Sequence, residues 1–432
     1  MKKFFIWLGI VLLLPVCTAA QMSVVRVDGN KIYLDISEEK TALTPGTTFK
    51  VIVSSETLTN PQTGKNLGEI YHYSEEGKIT EVQPLYAIGE MKNAKEVTVG
   101  KRAVVGEVKT VDPVVPAEPK KVSSRKVTTY QPVEQEIISI TQADVTASGA
   151  KNIVALSNKN EITVFSRGEK ETLKPKISYT LPSGKRGLFV SAASVKAGLA
   201  QLFVAVYNES TNAISTLVLE NQNGQLKQTE NLPFFVKEMG CGADKKIWAQ
   251  RPFVLSTAPG DAREVVFEKN KFTASKNTFN TRHNWLAGLN YYPVQTAGKN
   301  NLISTASNGT LRMLLNNGKT AVSKPLFASS PLRISHKQEI LKFYPSLQVF
   351  GEPEKASLAA VENDTKLGLL SEAFGQYRSG KIHFLTYEKG SLAVTDTVEL
   401  DGVIYDTACT DEHILTADVL PDGTSRVVEI LK

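Results

Sequence analysis

The sequence predicts an all-β protein in two parts, a small N-terminal β-barrel or sandwich and a C-terminal β-propeller of about six or seven blades. Short runs rich in Val, Ile, Thr, Phe and Tyr recur along the whole chain, separated by Gly, Asn, Asp and Ser. Helical periodicity of the apolar residues is nearly absent. A chain of this length is long enough for two or three domains.

The N-terminal segment has the pattern of a secretory signal. Lys2 and Lys3 precede an apolar run over residues 4–16, and small residues at 18–20 fit cleavage after Ala20. A membrane anchor is the alternative, but an apolar run of about 13 residues is shorter than the roughly 20 that span a bilayer. We therefore predict a signal peptide over 1–20 and an exported protein, periplasmic or associated with the outer membrane, or extracellular.

The cysteines leave two questions open. Cys17 lies where lipoproteins are acylated, but Val16 stands before it where a small residue is usual, so lipidation is only an alternative. Cys241 and Cys409 stay in the mature chain, and an oxidising compartment allows them to pair. Both follow turn-like segments at similar places in two repeats. We expect two buried free thiols, with a disulfide as the alternative.

Residues 21–105 form the predicted small β domain. Val24–Val27 and Lys31–Asp35 are two strands joined by the hairpin turn Asp28-Gly29-Asn30. Phe49–Val53 is the next strand, and Leu67–Tyr73 is expected to pair with Lys78–Leu85. Six or seven short strands in this span favour a small barrel or sandwich.

Residues 106–132 are predicted to be a linker. Its prolines are Pro113, Pro116, Pro119 and Pro132, and its basic residues include Lys120, Lys121, Arg125 and Lys126. Four prolines forbid a stable helix or central strand, so we expect a stiff extended spacer. The basic cluster is most simply a solvated charge run, although acidic glycans or lipid headgroups would also suit it.

From residue 133 to 432 a strand–turn–strand pattern recurs at roughly 40–60 residues, as in propeller blades. The predicted strand pairs are Asn152–Ser157 with Glu161–Ser166, Gln201–Tyr207 with Ser215–Glu220, Arg251–Thr257 with Arg263–Glu268, Leu302–Ser307 with Thr310–Leu315, Lys381–Tyr387 with Ser391–Glu399, and His413–Asp418 with Ser425–Leu431. Because one blade cannot bury both of its faces, a closed ring is expected. Glu134–Thr141 is predicted to complete the last blade.

Two resemblances add to this interpretation. Residues 22–105 resemble the C-terminal domain of flagellar assembly protein T. The matching stretches are Val27–Asp35, Leu43–Phe49, Asn60–Gly68 and Gly77–Ile79. That domain is itself similar to modules attached to other envelope proteins, so the resemblance implies an envelope module and not a flagellar role.

Residues 133–432 resemble the FG-GAP/VCBS class of β-propeller found in integrin α-type heads. The stretches that carry it are Ile138–Val145 with Asn152–Leu156, and Ile414–Gly423. The resemblance implies a binding or scaffold head with calcium sites in the blade loops.

The calcium sites that this resemblance implies are incomplete in the sequence. Asp418 and Asp422 match two of the acidic positions, but Leu420 fills the third. In the first blade Asp144 matches, whereas Thr146 replaces the next acid. One or two carboxylates rarely hold calcium tightly, so we expect no bound cofactor and interpret these acids as turn-forming residues. Calcium at Asp418 and Asp422 is the alternative.

Catalytic motifs are not evident. The five histidines have no metal-ligand spacing, and no nucleophile elbow or phosphate-binding loop occurs. Trp285, Tyr291 and Tyr292 cluster in the sequence and could form a ligand-binding rim, since such aromatic residues are frequent at interfaces. The alternative is that they pack between blades. A propeller hydrolase would instead gather its site at the channel mouth, from acids or a histidine–carboxylate pair.

The charge does not indicate a nucleic-acid partner, and the predicted export argues against one. Removing Lys2 and Lys3 from the 50 basic residues leaves 48 against 44 acidic ones, a mild excess for this length. No segment after the signal is apolar enough to span a membrane. We therefore predict a non-enzymatic cell-envelope protein whose propeller binds a protein or a polysaccharide. The alternatives are a component of a flagellar or secretion-type assembly and a hydrolase acting on glycans or peptides.

Overall fold

The computed structural model describes residues 21–36, 43–59, 66–83, 85–105, 123–241, 245–254, 257–293, 300–315, 317–337, 339–352, 355–365 and 375–432. The predicted signal peptide and the proline-rich part of the linker lie outside these ranges. Within them every extended regular element is a β-strand, which confirms the all-β prediction. The described residues contain no helix with the length and apolarity to cross a membrane. The chain divides into two compact units between Lys120 and Lys121.

Seven strands build the N-terminal unit: β1 Gln21–Asp28, β2 Lys31–Asp35, β3 Thr48–Thr59, β4 Asn66–Tyr73, β5 Gly77–Val82, β6 Tyr86–Met91 and β7 Arg102–Val105. Six of them form a closed barrel in the order β3-β5-β6-β2-β1-β7, because β7 pairs back onto β3. Alternate residues point inward, and the ring of Phe49 fills the interior. Gly77 and Gly89 leave the space for that ring, since a Cβ on either would collide with it.

The predicted hairpin between β1 and β2 is confirmed, with Gly29 at a φ of 59° in its turn. The predicted pairing of Leu67–Tyr73 with Lys78–Leu85 is wrong. Strand β3 runs for 12 residues, so its second half extends past the barrel and takes β4 as its partner. The chain then turns back at Ser74, whose amide donates to the carbonyl of Val51 at 2.8 Å, and β5 pairs with β6 instead.

The C-terminal unit is a propeller of six four-stranded blades. Its strands are β8 Val127–Thr129, β9 Ile137–Ala143, β10 Asn152–Ser157, β11 Glu161–Arg167, β12 Leu173–Thr180, β13 Lys185–Ala193, β14 Gln201–Asn208, β15 Ala213–Gln222, β16 Gln225–Leu232, β17 Phe235–Met239, β18 Lys246–Gln250, β19 Ala262–Glu268, β20 Lys271–Phe279, β21 Leu289–Pro293, β22 Asn300–Thr305, β23 Leu311–Leu314, β24 Thr320–Val322, β25 Leu332–His336, β26 Glu339–Phe343, β27 Gln348–Phe350, β28 Ser357–Thr365, β29 Tyr377–Glu388, β30 Ser391–Leu400, β31 Val403–Cys409, β32 His413–Val419 and β33 Ser425–Leu431.

The first strand of each blade lies innermost, and β25 and β26 form a separate two-stranded hairpin. Five of the six predicted strand pairs are confirmed as antiparallel neighbours. The strand predicted at Arg251–Thr257 is wrong, since β18 is the partner of β19. Several inner and second strands are buried along most of their length, as expected where each blade packs against two others.

The ring is closed by β8, which pairs with β33 as the outermost strand of the sixth blade. The prediction that Glu134–Thr141 closes the ring is wrong, because Ile137–Ala143 is the innermost strand of the first blade. The closing strand has only three residues and lies within the predicted linker, where no strand pattern marks it.

A polar cluster joins the sixth blade to the first at this closure. Tyr130 donates from its hydroxyl to Glu429 at 3.1 Å, and Arg167 donates both to that hydroxyl at 3.0 Å and to Glu429. Burial, and then the neighbouring Glu429 carboxylate, raise the pKa of Tyr130. Tyr130 and Arg167 therefore supply the hydrogen-bond donors that the buried carboxylate of Glu429 needs.

Candidate functional site

One end of the central channel is filled by aromatic side chains. Phe343 of the β25–β26 hairpin stacks on Phe235 of β17, with ring centroids 5.8 Å apart. The same ring meets the edges of Phe189 at 5.9 Å and Trp285 at 5.4 Å. Because Phe189 and Phe235 lie on inner strands of the second and third blades, the hairpin covers the channel at this end.

The middle of the channel is occupied by a buried ion pair. Lys237 of β17 donates to Asp406 of β31 at 2.8 Å, and the two side chains are 2% and 1% exposed. Asp406 also accepts from Ser139 at 2.6 Å and from the Ser346 hydroxyl at 2.5 Å. The Lys237 ammonium lies 4.3 Å from the ring centroid of Phe189. These groups satisfy one another, as a buried charge pair requires.

The other end of the channel is bridged by a disulfide between Cys241 and Cys409, whose Cα atoms are 5.1 Å apart. The expectation of two free thiols is therefore wrong. Cys241 follows the inner strand of the third blade and Cys409 ends that of the sixth. The ring places these two blades opposite each other, and the sequence could not show this. Lys432 lies beside the pair, with its ammonium 3.5 Å from the Cys241 sulfur.

The structure places the predicted aromatic rim in packing positions. Trp285 packs against Phe235 and Phe343 at the covered channel end. Tyr292 is 2% exposed, and its hydroxyl donates to the carbonyl of Ala356 at 2.5 Å. Tyr291 is half-buried with its ring 6.5 Å from that of Phe279. All three residues therefore make packing contacts, and a binding rim at these positions stays a prediction.

The two predicted calcium ligands have separate environments. Asp418 is fully buried and accepts from Arg426 and from the amide of Gly402. Asp422 is exposed in a turn, where it accepts from the amide of Thr424 at 2.9 Å, as an Asx turn requires. Nowhere in the described ranges do three metal-ligating side chains come together. A calcium site at these residues stays a prediction.

A cavity of about 220 Å³ lies between the fourth and fifth blades. Its lining includes Pro325, Leu326, Ser329, Glu362, Asp364 and Tyr377. Residues 325–329 belong to the connection that leaves the fourth blade, and Glu362 and Asp364 stand on one face near the end of β28. The amide of Asn363 donates to the Ser329 hydroxyl at 3.1 Å, which fixes the connection to the strand.

Glu362 is held by a histidine. Nε2 of His383 lies 2.6 Å from Glu362 Oε2, and its Nδ1 lies 2.9 Å from the hydroxyl of Thr397. His383 is 6% exposed, and the ring of Phe327 meets it edge-on with centroids 5.6 Å apart. Both ring nitrogens are engaged, so His383 positions Glu362 and does not itself face the cavity.

Asp364 is held in a similar way by the next strand. It accepts from Lys381 at 2.8 Å and from the Ser379 hydroxyl at 2.9 Å. Burial alone would raise the pKa of Asp364, but these hydrogen bonds and the charge of Lys381 outweigh it and lower the pKa. Burial alone would lower the pKa of Lys381. The hydrogen bond to Asp364 and the charges of Glu362, Asp364 and Glu399 outweigh this effect and raise the pKa. Asp364 is therefore ionised at neutral pH.

The sequence patterns did not indicate this site. The structure buries His383 within the sheet. The available signal was alternation: Glu362 and Asp364 fall on one face of β28, and Lys381 and His383 fall on one face of β29 at the same spacing. Only the register, which sets Glu362 opposite Lys381, brings the two pairs together.

The strand order thus defines the chain as a two-domain β protein with a closed six-stranded barrel and a six-bladed propeller whose channel is filled. No family model matches the chain, and no curated protein matches it. Both family resemblances therefore stay predictions.

Among solved structures, U3-55K aligns with a TM-score of 0.40 and 10% identity over 73% of this chain and 100% of that chain. The WD40 beta propeller domain of Doa1 gives 0.36 and 11% over 71% and 97%. BBS1N in complex with ARL6DN gives 0.34 and 10% over 68% and 79%. Similarity this low carries no functional argument, and the propeller assignment rests on the strand order itself.

Proposed function

We propose that this chain is an exported cell-envelope protein whose propeller is a rigid, non-catalytic binding head for a protein or polysaccharide. The observation that carries the proposal is the filled channel. Lys237 and Asp406 occupy its middle, the β25–β26 hairpin covers one end and a disulfide bridges the other. The central channel is therefore closed to a ligand, and a partner would contact the propeller outside it, as it would a scaffold.

The disulfide also supports export. Disulfides persist in oxidising compartments and are rare where thiols are kept reduced. Together with the signal-like residues 1–20, the Cys241–Cys409 pair favours the periplasm or the cell exterior. Residues 22–105 would then form the part that attaches the head to an envelope assembly, in line with the resemblance of that segment.

A hydrolase is the weaker proposal. The sequence-based condition for it was a cluster of acids or a histidine–carboxylate pair at the channel mouth. Among the described residues such a pair is formed by His383 and Glu362, which lie in the fifth blade beside the cavity and not at the channel mouth. His383 is buried with both nitrogens engaged, so it cannot reach a substrate without rearrangement.

The test is to fractionate cells that produce the full chain and to read the N-terminus and thiol state of the protein. A mature protein beginning at Gln21, outside the cytoplasm, with Cys241 and Cys409 resistant to alkylation until reduced, supports the proposal. An unprocessed cytoplasmic protein with free thiols overturns export. Cross-linking in envelope fractions then identifies the partner, and turnover of a glycan or peptide by the purified chain would overturn the non-catalytic role.

A further inference from the structure

The disulfide at one end of the channel has an ammonium beside one of its two sulfurs. Nζ of Lys432 lies 3.5 Å from the Cys241 sulfur and donates to the carbonyl of Thr410 at 2.9 Å. The Lys432 amide donates to the carbonyl of Glu412 at 3.0 Å, which fixes the backbone at this place. The polar contact of the Cys409 sulfur is instead with the Thr410 carbonyl, at 3.6 Å.

The Lys432 ammonium is partly desolvated and lacks an ionic partner. In the part of the chain that the structure describes, no carboxylate forms an ion pair with it, and the nearby Asp411 is paired with Lys151. The ring centroid of Phe350 lies 5.6 Å from the ammonium. Burial lowers the pKa of Lys432, although nearby carboxylates oppose this. A thiolate at Cys241 would supply the counter-charge that the ammonium lacks.

The two cysteines also differ in exposure. Cys241 is half-buried, whereas Cys409 is 3% exposed. An incoming thiolate therefore attacks the Cys241 sulfur, and Cys409 is the sulfur that leaves. A neighbouring lysine lowers the pKa of a cysteine thiol, and the thiolate is the reactive form. Cys241 thus has the properties of an exchanging cysteine, and Cys409 those of the resolving cysteine that pairs with it.

The reduced form would have partners for both sulfurs. The carbonyl oxygen of Thr410 lies 3.2 Å from the Cys241 sulfur and 3.6 Å from the Cys409 sulfur. A Cys409 thiol can donate to this carbonyl while a Cys241 thiolate accepts from Lys432. Neither sulfur is then left buried without a hydrogen bond.

The third and sixth blades stay joined when the disulfide opens. Lys237 lies on the strand that leads to Cys241, and Asp406 lies on the strand that ends at Cys409. Their buried ion pair, at 2.8 Å, connects the same two inner strands. The two sulfurs are therefore held near each other in the reduced protein, and the bond can form again without refolding.

We propose that the Cys241–Cys409 disulfide is redox-active and exchanges through Cys241 with the dithiol of a partner oxidoreductase. A thiolate of the dithiol attacks the Cys241 sulfur, the bond to Cys409 breaks, and Cys409 leaves as a thiolate that takes up a proton. The second thiol of the dithiol then loses its proton and attacks the partner's own sulfur in the mixed disulfide, which releases Cys241 as a thiolate beside Lys432. The cystine is reduced and the dithiol is oxidised to a disulfide. Of the two protons that the dithiol gives up, Cys409 takes one and water takes the other.

The first measurement is the equilibrium constant for reduction of the full mature chain by glutathione at neutral pH. The native protein is equilibrated at several ratios of reduced to oxidised glutathione and quenched with acid, and its free thiols are counted by mass after alkylation. Lys432→Gln should lower this constant about tenfold, which corresponds to about 30 mV, because the Cys241 thiolate loses its counter-charge. Lys432→Arg should retain the wild-type value, as should Lys227→Gln, which changes an exposed lysine on β16.

A second measurement identifies the exchanging cysteine. In Cys409→Ser, oxidised glutathione should form a mixed disulfide at Cys241, and adding Lys432→Gln should raise the pH midpoint of this reaction. In Cys241→Ser, Cys409 should react with oxidised glutathione about tenfold more slowly. Urea midpoints recorded beforehand show that each variant is folded under the conditions used.

A disulfide that opens only after the protein unfolds would overturn the inference. Equal reactivity of the two cysteines would also overturn it, as would a folded Lys432→Gln variant with an unchanged reduction constant. If Lys432→Gln does not fold, the comparison of Cys241 with Cys409 decides. The inference goes beyond the proposed binding role, and its failure would leave both export and that role intact.

Discussion

Replacing Asp406 by alanine leaves the ammonium of Lys237 in the middle of the propeller without its carboxylate. The Lys237 side chain is 2% exposed, so water cannot take the place of the lost partner. Breaking a buried ion pair from one side costs about 3–5 kcal/mol, because the remaining charge is uncompensated. Ser139 and Ser346 would also lose the acceptor of their hydroxyls. We expect a loss of stability at the upper end of that range.

The opposite substitution should be milder. Lys237→Met leaves Asp406 with hydrogen bonds from Ser139 and Ser346, so the carboxylate stays partly satisfied and we expect a loss of about 1–3 kcal/mol. The double variant Lys237→Met with Asp406→Leu removes both charges together. Replacing a buried pair by apolar residues of similar volume is often neutral or stabilising, so the double variant should be more stable than Asp406→Ala.

Urea unfolding followed by tryptophan fluorescence measures these differences. Trp248 and Trp285 are the two tryptophans that remain after residues 1–20 are removed, and both lie in the propeller, so the signal reports on this unit. The disulfide must stay oxidised in all samples. If the losses of Lys237→Met and Asp406→Leu, each measured alone, add in the double variant to within about 0.5 kcal/mol, the pair is not coupled. That result, or a loss below about 1 kcal/mol for Asp406→Ala, would refute the reasoning.

Three further predictions concern the closure and the ends of the channel. Replacing Cys241 and Cys409 by serine should lower the stability by roughly 2–5 kcal/mol, measured by urea unfolding, because the bridge closes a long loop in the unfolded chain. Burial, and then the charge of Lys337, lower the pKa of His336 from 6.5. The stability that neutral His336 contributes is therefore complete above pH 6.5 and is lost as the pH falls below that value. In His336→Gln the melting temperature should depend less on pH between 6.5 and 5 than it does in the wild-type chain. Glu429→Ala should cost about 1.5–3 kcal/mol in the same unfolding assay, because it leaves Arg167 without its carboxylate at the closure.

The local elements of the fold were predictable because their signals are local. The β1–β2 hairpin depends on Gly29 in its turn, and the β10–β11 pair depends on alternation and a short polar connection. Each of these two strand pairs lies within fewer than 20 consecutive residues. The recurrence of such strand pairs predicted a propeller, and their number limited how many blades it could have.

The closing strand and the channel cover could not be predicted in the same way. Strand β8 has three residues, too few for any pattern, and its identity as a strand comes only from pairing with β33. The β25–β26 hairpin has the composition of an ordinary blade strand pair. Nothing local indicates that Phe343 would cross to Phe189 and Phe235 instead of joining a blade.

The candidate cavity shows the same limit at the level of side chains. Glu362 and His383 are 21 residues apart, and each has an unremarkable sequence neighbourhood. Their contact depends on the register that places Ala360 opposite His383, and a shift of one strand by one residue would place the two side chains on opposite faces of the sheet. Sequence patterns fix the face of each strand but not this register.

The contacts that fill the channel join parts of the chain that are far apart, and they therefore stiffen the ring of blades. Lys237 and Asp406 are 169 residues apart, and the two cysteines are 168 apart. Repeats in an open solenoid contact only their neighbours, whereas here the third and sixth blades contact each other directly across the ring. A blade cannot tilt without disturbing this buried network. The fourth and fifth blades lie between the third and the sixth in the ring, so the connection between them is held in a fixed position.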